Sequence, residues 1–234
     1  MNKKLMMSCL SLLVLVSTGQ VLAQNKNTDY RLMLDAVKAG HLPSGWQVGA
    51  TNPRGPLAVW AVAADTAAGS HENILSIERI QDTSTSVFNL NWTRQVVFLN
   101  GDINVRMRAN SGKEDQGGGV IWRVQDENNY YVARYNPLES NFRLYYVEDG
   151  RRNMLASAEQ LTSKPGAWVS LKIRHQGQQI QGWFNNTLAW ESRDTHLPKA
   201  GGIGLWSKAD AASSFADLVV RRMTTNAAGK LENE

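Results

Sequence analysis

Cysteine is nearly absent from this chain, the only one being Cys9. A fold of this length must then be held by packing, because no disulfide framework is available. Long apolar runs are missing too. The run at residues 10–16 is too short to cross a bilayer, so no transmembrane segment is expected. There is also no Lys/Arg block of the kind that grips nucleic acid or an anionic membrane, since the basic residues alternate with acids and aromatics. Nucleic acid is therefore not an expected partner.

What is present begins with an address. Residues 1–23 (MNKKLMMSCLSLLVLVSTGQVLA) carry two lysines, a short apolar run and small or aliphatic residues before Ala23. That is the layout of a signal peptide cut between Ala23 and Gln24, and it predicts a periplasmic or secreted protein. Cys9, at the head of the apolar run, is not where a lipobox cysteine would stand. Cleavage leaves 211 residues and no cysteine, and losing Lys3 and Lys4 lowers the formal charge from +4 to +2. One large β-domain over residues 24–223 fits that length, with residues 224–234 expected to be a disordered tail.

Residues 29–40 can be read as a short helix capped by Asp29 and stopped by Gly40, or as an edge strand at residues 31–35. Turn chemistry follows, with Pro43, Gly45, Gly49, Pro53, Gly55 and Pro56. From Leu57 the chain passes into short apolar or alternating runs: LAVWAVA, NILSIERI, TSVFNLN and QVVFLN. Residues 102–109 alternate cleanly, with Ile103, Val105, Met107 and Ala109 on one side. Val169, Leu171 and Ile173 repeat the pattern before a hairpin turn at Gln176-Gly177, and a second turn is expected at Asn185-Asn186. About a dozen short strands, little helical periodicity and no exact internal repeat argue for an all-β sandwich or barrel.

The chain is organised around residues 117–150, GGGVIWRVQDENNYYVARYNPLESNFRLYYVEDG, which read as three strands and two polar turns and hold five of the six tyrosines. With residues 167–194 and GGIGLWSKAD, this stretch resembles secreted bacterial domains of the concanavalin A-like, laminin G-like superfamily. Closest are the 3-keto-disaccharide hydrolase domains, often described as like family 16 glycoside hydrolases. The resemblance runs from about Trp46 to Val220. It implies a two-sheet antiparallel jelly-roll sandwich, and it favours the strand reading of residues 31–35. It says little of function, since one superfamily hosts lectins, hydrolases and adhesion modules.

Several catalytic signatures are missing. Retaining glycosidases set two carboxylates about 5 to 5.5 Å apart. The Glu-x-Asp-x-x-Glu strand that supplies them in laminarinase-type enzymes does not occur here. Acids within the body are adjacent, as in Glu114-Asp115 and Asp126-Glu127, and adjacent strand residues face opposite ways. Only acids from different strands, among Asp115, Asp126, Glu139 and Glu191, remain as candidates. There is no Gly-x-Ser-x-Gly. His41, His71, His175 and His196 lack ligand spacing and read as surface or turn residues. No cofactor is expected. Calcium is a structural ion in laminin G-like domains, and Asp126, Asn128 and Asn129 offer hard oxygens on one turn, but an Asx-rich hairpin explains them better.

The positive signal is alternation in the central strands. If these strands are neighbours, Arg123, Arg134, Arg143 and Tyr145 share one exposed face, with Phe142, Leu144 and Tyr146 packed inside. Aromatic rings stack on sugars and guanidinium groups grip hydroxyls and carboxylates, so a carbohydrate ligand is the expected partner. The competing reading is ordinary cross-strand ion pairing with Glu139, Glu148 or Asp126. Tyr130, Trp183 and Trp190 complete the candidate set, whereas Trp60, Trp168 and Trp206 sit in apolar runs and read as core. Lys208 and Asp210 read as a tie across the last turn. Three functions follow: a carbohydrate-binding sandwich, a hydrolase of glycosides or 3-keto-glycosides, and an adhesion or scaffold module. The oligomeric state is not set by the sequence.

Overall fold

The computed structural model describes residues 29–65 and 73–223. The expected leader and tail, and His71, lie outside the described residues. In chain order the strands are β1 (Tyr30–Arg31), β2 (Trp46–Thr51), β3 (Val59–Ala64), β4 (Asn73–Arg79), β5 (Phe88–Phe98), β6 (Gly101–Ser111), β7 (Gly118–Asp126), β8 (Asn129–Asn136), β9 (Asn141–Glu148), β10 (Arg151–Ala158), β11 (Val169–Gln176), β12 (Gln179–Phe184), β13 (Thr187–Arg193), β14 (Gly201–Lys208) and β15 (Ala212–Arg222). Two sheets result. One runs β13-β12-β11-β6-β15-β4-β3, with β1 also on β15, and the other runs β10-β9-β8-β7-β14-β5-β2. Every pairing is antiparallel. The molecule is an all-β, two-sheet jelly-roll sandwich, as the periodicity predicts.

Strand β11 shows why the residues choose this fold. Val169, Leu171, Ile173 and His175 point inward and are buried, while the residues between them are half-exposed. That period of two is what a strand with one wet face needs. The inner faces of both sheets meet in one core, where Trp122 stacks on Tyr131 at 5.6 Å, Phe142 meets Trp190 at 5.1 Å and Trp60 meets Phe215 at 6.0 Å. Asn185 and Asn186, both at positive φ, make the expected tight turn. The preceding turn falls one residue later than expected, at Gly177-Gln178.

Three expectations need correction. The segment after Asp29 is neither a helix nor a strand through Asp35, because β1 stops at Arg31. The cause is competition for one edge: β1 pairs with Val219 and Val220, and β4 already holds Ser214 and Phe215 of the same strand. The runs TSVFNLN and QVVFLN are joined in a single strand, β5, because the intervening Trp92 and Thr93 are buried and paired. Trp168 is half-buried, not core, and lies beneath the guanidinium groups of Arg106 and Arg108.

Candidate functional site

The seven-stranded sheet buries both of its faces. Strand β7 has seven consecutive buried residues and β8 also has seven, where a sheet with one wet face would alternate. The face turned away from the eight-stranded sheet carries its own apolar cluster, including Phe88, Leu90, Trp92, Tyr130, Val132, Tyr145 and Trp206.

One set of contacts explains the burial. The Tyr130 hydroxyl, on β8, lies 2.7 Å from Thr51 Oγ1, at the end of β2. These strands are four intervals apart in the sheet order, roughly 19 Å in a flat sheet. The sheet therefore curls until one corner meets another, and its outer face becomes concave. Thr51 also donates to Glu127 O, and Asn52 Nδ2 donates to Gly150 O at 2.9 Å. Gly49 allows the approach, since a Cβ there would sit 2.7 Å from Glu127 Cγ. Part of the groove is thus filled by the protein itself. Burial pushes the Tyr130 phenol up from its ordinary value, so the ring stays neutral and bonds through its hydroxyl.

A polar mouth lies at the other end of this face. Arg134 and Arg143 are direct cross-strand partners, and Tyr145 stands two residues along on the same face. Arg134 Nη1 donates to Asn141 Oδ1 at 2.7 Å, while Nη2 donates to Glu139 at 2.8 Å and to the Tyr145 hydroxyl at 3.3 Å. Arg143 reaches the same Glu139 oxygen at 3.0 Å and Glu159 at 3.2 Å. Burial alone would raise the Glu139 carboxyl, but the Arg134 bond and charge, with Asn141 and Arg143, hold it below the usual carboxylate range. Behind it, Asp115 accepts from Gly117 N, Asn136 Nδ2 and Lys208 Nζ. Arg134 is only 2% exposed, whereas the Arg143 and Glu139 side chains are 27% and 39% exposed and present the mouth to solvent.

The sequence candidates divide accordingly. Arg134, Arg143 and Tyr145 come together, but Arg134 and Tyr145 are buried where an open face was expected. Tyr130 forms the floor. Arg123 leaves the group, because the backbone bulges after Trp122 and Arg123 takes a φ of 49°. Its guanidinium turns instead to Leu99 O, Leu197 O and Gly177 O, tying three loops together. Trp183 lies on the other sheet, half-buried beneath Lys172 at 4.9 Å. Trp190, expected to be exposed, is core, because Gly182 opposite it leaves room for the indole.

Of the candidate acids, Asp115 and Glu139 are neighbours, both accepting from Asn136 Nδ2, at 3.1 and 3.3 Å. Glu191 is on β13 of the other sheet, bonded to Gln181. Asp126 accepts from Asn128 N and Asn129 Nδ2. These bonds make the Asx-rich hairpin turn. Among the described residues, no group of three His, Cys, Asp or Glu side chains is arranged for a metal. Asp210 accepts the backbone N–H groups of Lys113, Glu114 and Asp115, the structural tie read from LWSKAD.

Sequence reasoning missed three groups. Arg152 reaches from edge strand β10 over Tyr145, Phe88 and Trp206. Nothing in RRNM marks that reach. His175 is buried, accepting from Trp122 Nε1 at 2.9 Å, and not on the surface. His196 is exposed, as expected, but its ring stacks on Tyr146 at 3.9 Å, with Nδ1 2.6 Å from Asp194.

Comparison with solved structures places the chain among sandwiches of one type. It is similar to the carbohydrate binding module CBM66 from Bacillus subtilis, at TM-score 0.57 and 17% identity, over 74% of this chain and 93% of that one. The Bacillus licheniformis beta-glucanase follows at TM-score 0.54 and 14% identity, over 84% and 99% of the two chains. The fold is a concanavalin A-like jelly roll. A Bacillus subtilis protein of unknown function with a galectin-like fold also matches, at TM-score 0.50 and 12% identity, over 76% and 89%. No family model and no curated protein matches the chain. At such identities the likeness is one of architecture, and the site must be argued from its own residues.

Proposed function

We propose that this chain is an exported, non-catalytic carbohydrate-binding jelly roll whose ligand docks at the mouth formed by Arg134, Glu139, Arg143 and Tyr145. The observation that carries this reading is the preorganised polar array. Arg134 is locked by three side chains, so Glu139 and Arg143 are held in place at the surface. A planar donor beside a fixed carboxylate suits vicinal sugar hydroxyls, and its ordering cost is met before the ligand arrives. On the same face, Met154 is 59% exposed opposite Tyr145 and offers an apolar surface for a sugar ring. That one similar structure is named as a carbohydrate binding module agrees with this reading.

Hydrolysis fits less well. A glycosidase acid must hold its proton near neutral pH. Glu139 is driven the other way by Arg134, and Asp115 is committed to Lys208 and two N–H donors. The test is a glycan array followed by calorimetry and product analysis. An array hit should bind at least tenfold more weakly to Arg143→Ala, about 1.4 kcal/mol, with the glycan recovered intact. Unchanged affinity in both Arg143→Ala and Glu139→Gln, or a blank array, would overturn the proposal.

A further inference from the structure

Four cations face the concave side of the seven-stranded sheet near its mouth, and three are paired: Arg134 and Arg143 with Glu139, and Lys208 with Asp115. Arg152 is not. Its guanidinium carbon lies 4.4 Å from the Tyr145 ring centroid, 5.1 Å from Phe88 and 5.8 Å from Trp206. Its Nη1 is buried and has no hydrogen-bond partner among the described residues. Three rings stabilise a cation through their faces, but they accept no in-plane hydrogen bond.

Arg134 repeats the shortage from the other side. Its Nε is also buried without an acceptor, and its guanidinium carbon lies 5.8 Å from the same Tyr145 ring. Two guanidinium groups therefore share one tyrosine, and each holds a buried N–H that no described residue accepts. The nearby carboxylates already hold other donors, and none of them is bonded to Arg152. Asp115 already takes three donors, and Glu139 takes Arg134, Arg143, Asn136 and Asn141. Buried donors in folded proteins are almost always satisfied, and a desolvated cation without a counter-ion is costly. Burial accordingly lowers the proton affinity of Arg152 from its ordinary value.

We propose that the missing acceptor arrives with the ligand, as the carboxylate of a uronic acid residue in an acidic glycan, bound by Arg152 beside Arg134. A carboxylate is planar and accepts from a guanidinium fork through both oxygens, which suits a cation whose faces are already covered by rings. Arg152 springs from β10, the end strand of its sheet, and although Nη1 is buried the side chain as a whole is only half-buried, so a glycan can approach it from that edge. The sugar ring then passes over Met154 and its hydroxyls meet Glu139 and Arg143. This inference rests on the carbohydrate reading of the mouth and adds the charge of the ligand.

The experiment compares, by calorimetry on the full chain, oligomers of galacturonate, glucuronate and mannuronate with their methyl esters. At least one acid form should bind tenfold or more tightly than its ester, and Arg152→Gln should bind acid and ester alike. The wild-type comparison stands even if the variant folds poorly. Esters bound as tightly as their acids in all three series overturn the proposal and leave the carbohydrate reading intact. Acetate bound as tightly as the oligomer overturns it in favour of a bare anion site. Loss of all glycan binding, neutral and acidic, overturns both.

Discussion

The Tyr130 hydroxyl and Thr51 Oγ1 are hydrogen-bonded at 2.7 Å although three strands of the same sheet lie between theirs. Because Thr51 donates to Glu127 O, Tyr130 must donate to Thr51. One hydroxyl thus joins a strand end, a hairpin turn and a buried ring, and it holds the sheet curled over its apolar cluster.

Thr51→Val keeps the shape and removes that hydroxyl. It leaves the buried Tyr130 hydroxyl and the part-buried Glu127 carbonyl short of a partner and should cost about 1–3 kcal/mol, read from urea unfolding. Acrylamide should quench the indole of Trp206 more readily in the variant, since the corner no longer closes over it. Equal stability and quenching would mean that the corner contact contributes nothing to closure.

The two hairpin tryptophans should separate cleanly. Trp190→Ala removes an inner-face indole packed against Phe142 and should destabilise by about 3–5 kcal/mol. Trp183→Ala lies on the outer face of the other sheet and should leave glycan affinity unchanged. Weaker binding in Trp183→Ala would move the site to that sheet.

Gly119 pairs with Arg134 in the sheet, and a Cβ there would meet Ala133 O at 2.0 Å and Arg134 Cα at 2.7 Å. Backbone cannot step aside as a flexible side chain does. Gly119→Ala should therefore cost at least about 1–3 kcal/mol and disturb the mouth. A fully stable variant with native affinity would contradict the packing described.

Acid should act in two windows. For Asp102 and Asp194, burial raises the carboxyl, but hydrogen bonds and charge from Arg174 and Lys172, and from Tyr131 and His196, outweigh it and lower both. The unfolded chain then takes up these protons first, so their stabilisation is present above the ordinary carboxylate range and is lost as pH falls below about 4. His175 acts earlier. Burial pushes its imidazole down to about 3, so between pH 6.5 and 3 the unfolded chain binds a proton that the folded one refuses. Stability should fall with pH there by up to about 1.4 kcal/mol per unit. His175→Gln, which can still accept from Trp122, should flatten that slope. NMR titration of His175 between pH 5 and 8 should show no change, and a midpoint in that range would refute the burial argument.

Alternation made much of the fold legible. It placed Val169, Leu171 and Ile173 inward, put Phe142 and Leu144 in the core, and brought Arg134, Arg143 and Tyr145 to one face. It failed wherever a side chain's fate depends on something beyond its own strand. Arg123 breaks the period because a bulge turns it toward three loops. Tyr145 and Tyr130 are buried by the closure at Thr51, a contact between strands far apart in sequence. Arg152 sits in an unremarkable RRNM, and only the curl of the sheet brings Phe88 and Trp206 under it. Such features come from tertiary geometry, which local periodicity does not encode.

The short strand β1 has a practical consequence. Since Tyr30 lies against Val220, both ends of the described chain leave from the eight-stranded sheet, behind the mouth. A tether placed at residue 29 or residue 223 should leave the groove facing solvent. A short peptide joining residue 223 to residue 29 should likewise permit new ends to be cut at the exposed turn of Lys164, Pro165 and Gly166.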